Sequence, residues 1–167
     1  MSVVIQNLQR SVRLDLRRME RDVRYLRRLM ELTSFHLGIQ CVENDYIAEA
    51  NLTYRGVEGT TDVLAFPLIE DMEPGKPLPE ITDPDSRILG DLMLGIPYIH
   101  EHAVFHGEQL EETLNVMILH GMCHLIGYDH ETKDQWEQMY NKELKILERF
   151  NKRTGYSCKP LLGVGHG

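Results

Sequence analysis

The chain has 167 residues, and no apolar run in it is long enough to cross a bilayer, so a membrane-spanning helix is excluded and no membrane partner is expected. It is also poor in cysteine. Cys41, Cys123 and Cys158 are odd in number and far apart, which argues against a disulfide framework and for a reducing compartment. Internal repeats, low-complexity tracts and a dividing linker are missing too, and the length suits one domain with a substantial core. A hydrophobic share of 42% and a charged share of 26% are those of an ordinary water-soluble globular protein.

A formal net charge of −8 would count against a nucleic-acid partner if it were spread evenly, because affinity for phosphate comes from Lys and Arg. It is not spread evenly. Residues 1 to 60 hold nine Arg against eight Asp or Glu, so the acidic excess lies downstream. Arg10, Arg13, Arg17, Arg18, Arg21, Arg24, Arg27 and Arg28 share one stretch with only Asp15, Glu20 and Asp22, and no lysine is among them. Three readings fit this stripe: a phosphate-contacting surface, an organelle-targeting element, or a solvated helix face. Its acids are unusual for a transit peptide. Leu16, Met19, Val23, Leu26, Leu29 and Met30 recur on its apolar side at helical spacing, so it is expected to belong to the fold.

The remaining pattern predicts a single α+β domain, with a small mixed sheet of about four strands packed against helices. Strands are expected at Val3–Leu8, Gly38–Val42, Asp62–Leu68 and Ile88–Ile96, the third stopping or lying at an edge because of Pro67. A helix is expected over Glu43–Tyr54, with Asn44 and Asp45 as cap candidates and a stop near Gly56. Residues 70–87, with prolines at 74, 77, 79 and 84, read as an acidic surface loop, and Pro97–Gly107 as a lead into the next helix. That helix carries Leu110, Leu114, Met117, Ile118 and Leu125 as a buried stripe. A last helix over about Lys133–Phe150 turns Trp136, Met139, Tyr140, Leu144, Leu147 and Phe150 inward. The domain is expected to span 1–150, and the glycine-containing tail, 151–167, to be mobile.

The chemistry concentrates in His120-Gly121-Met122-Cys123-His124-Leu125-Ile126-Gly127-Tyr128-Asp129-His130. Residues four apart on a helix lie on one face, so His120 and His124 can aim at one point, and a turn at Gly127 can bring back His130. Three protein ligands leave a tetrahedral Zn²⁺ one open position, as catalytic sites do. The spacing equals that of the H-E-x-x-H-x-x-G-x-x-H proteases, but Gly121 stands where they carry the glutamate base. The alternative is three ordinary histidines in and after a buried helix. Cys123 reads as a small buried apolar residue off the metal side. Asp129, Asp62 and Asp91 are candidates to accept the second ring N–H of a ligand, with Asp129 better read as a turn residue. His100, His102 and His106 lack a third well-spaced partner and a turn glycine, and read as loop residues.

Asn51-Leu52-Thr53-Tyr54-Arg55-Gly56, Thr61-Asp62-Val63-Leu64-Ala65-Phe66-Pro67, Leu89-Gly90-Asp91 and the histidine motif, in that order, together resemble the YbeY family. The resemblance spans about residues 3–150, and it departs at Ala65, at the long acidic loop and in the tail. It implies a metal-dependent endoribonuclease, specific for single strands, that matures small-subunit ribosomal RNA, with a small-subunit ribosomal protein as partner. It also implies one zinc per chain on His120, His124 and His130, with Arg55 lining the same cleft. Taken alone, Arg55 is as readily a surface salt-bridge residue as a phosphate ligand; the resemblance favours the phosphate. His124 and Arg55 are the expected catalytic residues. A non-catalytic ribosome-assembly factor and a metal-dependent amide or peptide hydrolase are the other function classes. The stripe, the cysteines and the family's association with bacterial-type ribosomes point to the mitochondrion, with the cytoplasm as alternative.

Overall fold

The computed structural model describes residues 2–161. Among them are four strands, β1 (Val3–Asn7), β2 (His36–Val42), β3 (Val63–Pro67) and β4 (Ile88–Gly95), and five helices. The helices are α1 (Leu16–Leu29), α2 (Asn44–Arg55), α3 (Ile96–His106), α4 (Leu110–Leu125) and α5 (Lys133–Thr154). The strands form one sheet in the order β1-β2-β4-β3, in which β1, β2 and β4 run parallel and β3 is the antiparallel edge. The expected α+β class with a small mixed sheet is the observed one. Pro67 ends β3, an edge strand on which a missing N–H costs least.

Alternation along the strands sorts the core into two faces. Val63 and Ala65 of β3 and Leu92 and Leu94 of β4 pack with the main core against α4, whereas Leu64 and Met93 join Val42, Ile47 and Ala50 under α2. Buried on nearly every side, α4 is the central helix: its residues Thr113 through Cys123 are all buried, as is Leu125. Its start is fixed by a capping box between Gln109 and Glu112.

Three expectations need correction. The segment Ile96–His106 is a helix, not a lead-in; Pro97 in its first turn and Gly107 at φ +66° after its end are the usual helix boundary residues. Second, the tail is packed well beyond Phe150. Helix α5 continues to Thr154, and Tyr156 and Cys158 are buried. The Tyr156 hydroxyl donates to Asp22 Oδ2 at 2.7 Å, and Cys158 exchanges two hydrogen bonds with the Asn151 side chain. These polar anchors carry no periodicity, which is why an apolar pattern ending at Phe150 does not reveal them; the last part of the expected mobile tail, 162–167, lies outside the described residues. Third, the acidic loop is not only surface. Leu78 and Ile81 pack on the main core, and the Met72 and Glu73 backbone lies against Gly127.

Candidate metal centre

His120 and His124 stand one turn apart near the end of α4. Beyond them the helix closes with Gly127 N–H on the His124 carbonyl (3.1 Å) and Tyr128 N–H on the Cys123 carbonyl (3.0 Å). Gly127 sits at φ +102°, and a Cβ there would come within 2.5 Å of the Met72 carbonyl oxygen, so both backbone conformation and space demand glycine. The reversal returns His130 to the pair. Ring centroids are 4.7 Å apart for His120 and His124, 5.4 Å for His120 and His130, and 5.3 Å for His124 and His130. One nitrogen from each ring lies within 4.8 Å of the other two. The structure thus brings together all three histidines expected to bind metal.

Their orientation is imposed from behind. The buried Glu143 of α5 meets His120 Nδ1 through Oε2 at 3.1 Å, and the Tyr128 carbonyl accepts from His124 Nδ1 at 2.9 Å. With both Nδ1 atoms so engaged, the two Nε2 atoms face each other at 3.2 Å. Two nitrogens on one tetrahedral zinc, each about 2.0–2.1 Å from it, are roughly 3.3 Å apart, so the pair fits a shared cation. Burial first, then the neighbouring charges of His120 and His130, pushes the His124 pKa down to about 4. At neutral pH it is therefore an unprotonated imidazole, the form that donates to a metal. His120 is buried, but His124 and His130 are half-exposed, so the cluster has an open side.

Glu143 is the residue that sequence reasoning missed. It lies between Met139 and Leu147 at intervals of four, a carboxylate on the buried stripe of an amphipathic helix, and that misplaced charge was the available signal. Of the aspartates expected in its role, Asp129 accepts its neighbour's backbone N–H from His130 (2.8 Å), a turn contact, and Asp62 likewise caps Val63 (2.7 Å). Asp91 alternates with Leu92, so it points away from α4 to the other face of the sheet, where its carboxylate fills the space above Gly38. Cys123 is wholly buried, which pushes its thiol pKa well up and leaves it an apolar core residue, as expected.

Gly121 has a packing role of its own. A Cβ at this position would meet Leu92 Cδ2 at 2.8 Å and Val63 Cγ2 at 3.1 Å, so α4 rests directly on the sheet there. Any larger side chain in place of Gly121 would have to displace Leu92 or Val63. Arg55 ends α2 and is exposed, its guanidinium reaching the Asn51 side chain at 3.4 Å. No hydrogen bond or ion pair joins it to the three histidines among the described residues.

Comparison with known proteins agrees with this geometry. The family model described as "Endoribonuclease YbeY" matches residues 4–151. A human protein named Endoribonuclease YbeY is 38% identical over 161 residues, covering 96% of this chain and 95% of its own length. One of the same name from Bacillus cytotoxicus is 41% identical over 118 residues, covering 70% and 74%. A solution structure from Thermotoga maritima shares the fold, with a TM-score of 0.54 at 22% identity over 96% of this chain and 99% of that one. Since the matched span covers most of the chain, including α4, the histidine turn and Glu143, the chain belongs to the YbeY family.

Proposed function

We propose that this protein is a zinc-dependent endoribonuclease that cuts single-stranded RNA during maturation of small-subunit ribosomal RNA. The observation that carries the reading is the converging triad: three imidazoles, two of them held from behind by Glu143 and the Tyr128 carbonyl, and two of them half-exposed. The activity comes from the family, whose matched relatives are named for it. A divalent cation held there supplies Lewis acidity to a phosphate oxygen and lowers the pKa of water to about 7.

The chain's own groups do the rest. Glu143 fixes the ring of His120 and favours positive charge next to it, while the Tyr128 carbonyl fixes His124. Arg55, permanently charged and exposed beyond its contact with Asn51, serves as a fork for two phosphate oxygens as charge builds on them. The peptide-hydrolase reading lacks its base, because Gly121, at the position where the base is needed, has no side chain. Either water or the 2′-hydroxyl of the RNA can attack, and the new RNA end separates them, since only 2′-hydroxyl attack leaves a 2′,3′-cyclic phosphate.

Ribosomal RNA precursor and a small-subunit ribosomal protein are the partners in this reading, and the mitochondrion is its place. All three cysteines are free and buried, as a reducing compartment allows. The test is cleavage of a labelled single-stranded RNA beside a peptide substrate. Wild-type protein should cut only the RNA. Arg55→Ala should keep its metal and lose about 10²–10³-fold in turnover, the usual cost of removing one charge-stabilising donor. Undiminished turnover would remove Arg55 from the mechanism, and absence of RNA cleavage by the metal-loaded wild type would overturn the proposal. Metal-site variants that still restored rRNA maturation in cells would favour a non-catalytic assembly factor.

A further inference from the structure

The arginine stripe does not act as one surface. Arg27 is buried and donates to the Phe35 carbonyl at 2.9 Å, and Arg18 turns to the Tyr156 hydroxyl at 2.7 Å and to Glu111. Arg21, Arg24 and Arg28 instead line a groove of about 420 Å³ between α1 and the end of α5, where Arg153 closes it from the other side. Arg153 lies over the Tyr25 ring, 5.0 Å from its centroid, so its guanidinium is braced.

Charge is only partly compensated there. Arg24 pairs with Glu20 at 3.0 Å, and Arg21 with the buried Asp22 at 3.2 Å. Asp22 is shared, however: it also accepts from Tyr156 and from Asn115. Neither Arg28 nor Arg153 has a carboxylate partner among the described residues. Four guanidinium groups around one groove repel one another in a protein whose net charge is −8, and an anion in the groove would relieve that repulsion. The crowding is already felt next door, where burial and then the charge of Arg24 lower the Arg27 pKa.

We infer that this groove is a second RNA-binding site, taking backbone phosphates of the strand that the metal centre cuts; the inference rests on the endoribonuclease reading. Arginine forks match phosphate oxygens, and a concave, sequence-indifferent cationic groove is how single strands are tracked. Helix α5 links the two places. Glu143 touches His120 and Arg153 lies ten residues on, about 15 Å along the axis at 1.5 Å per residue. A strand of several nucleotides can span that distance, and a very short one cannot.

The test compares wild type with Arg28→Gln/Arg153→Gln, using a labelled oligouridylate long enough to reach both places and a diuridylate, UpU, that is not. Arg10→Gln/Lys145→Gln serves as a charge-matched control outside the groove. Thermal unfolding of each variant checks the fold. The groove variant should bind the long RNA about tenfold more weakly, the scale of lost charged hydrogen bonds. The slope of log affinity against log salt should flatten by about 1.4, at roughly 0.7 per phosphate contact. Turnover of the diuridylate should not change. Arg28→Lys/Arg153→Lys, which keeps the charges, should retain the slope. If wild type cleaves long RNA but the groove variant matches the control in affinity and slope, this inference falls alone. If the variant loses binding to phosphatidylserine vesicles and not to RNA, the groove is a lipid site and the inference is wrong. Wild type that neither binds nor cuts RNA overturns both readings.

Discussion

Two helices of this chain each carry histidines four residues apart and each give way to a glycine of positive φ. In α4 the pair is His120 and His124, with Gly127 at +102°; in α3 it is His102 and His106, with Gly107 at +66°. The α3 rings are in fact the closer, 4.3 Å between centroids against 4.7 Å. Yet among the described residues only the α4 pair is joined by a third ligand. After Gly107 the chain enters α4 with no further histidine, and His102 Nδ1 has no hydrogen-bond partner among the described residues, with the Glu108 carboxylate at 3.9 Å. His106 is exposed. The absence of a turn glycine, one ground on which the sequence sets the α3 histidines aside, is wrong. What separates the two pairs is support: a carboxylate and a carbonyl behind the rings, and a turn that brings the chain back.

The largest effect should come from removing a ligand on one helix and its counterpart on the other. His124→Ala should lower zinc affinity by more than about 100-fold, beyond the usual range for a supporting residue, while His106→Ala leaves it unchanged. Metal analysis of the dialysed proteins, followed by competitive chelator titration, reads both. Equal metal content in wild type and His124→Ala would end the case for the triad.

Next comes the support itself. Glu143→Gln keeps an oxygen for the Leu161 N–H, which lies 3.3 Å from Oε1, but removes the charge behind His120. Zinc affinity should fall by about 10–100-fold with the fold retained. If it matched wild type, orientation by the carboxylate would not be what distinguishes the α4 pair from the α3 pair.

Much of this was legible beforehand because it lies in spacing. Period-two runs place the four strands, and the intervals of four and six with Gly127 place the ligands. The unread parts depend on polar groups meeting across the fold. Asp22 is held by Tyr156 from 134 positions away and by Asn115 from 93, and Glu143 by a tail residue 18 positions on. No local pattern encodes such pairs, although a charge on an apolar stripe, as at both Asp22 and Glu143, marks where one is needed. Helix α3 is a different failure: Pro97 and Gly107 were readable, but Val104 and Phe105 are exposed, so its apolar residues do not keep to one face.

The smallest effect concerns how tightly each histidine helix is seated. His120 is followed by Gly121 and His102 by Ala103, both buried. On an exposed helix Gly→Ala stabilises by about 1 kcal/mol, but at Gly121 the added methyl must displace Leu92 or Val63, and overpacking of this kind costs about 1–3 kcal/mol. The clash should outweigh the helix preference and leave Gly121→Ala about 1 kcal/mol less stable, or roughly 2–4 °C lower in melting temperature for a domain of this size. Ala103→Gly should lower it by at least a similar amount, through backbone entropy and the loss of a buried methyl. Both would be measured on metal-free protein, so that ligand binding does not mask the difference. A higher melting temperature for Gly121→Ala would show that α4 has slack against the sheet, and that the missing glutamate cannot be explained by packing.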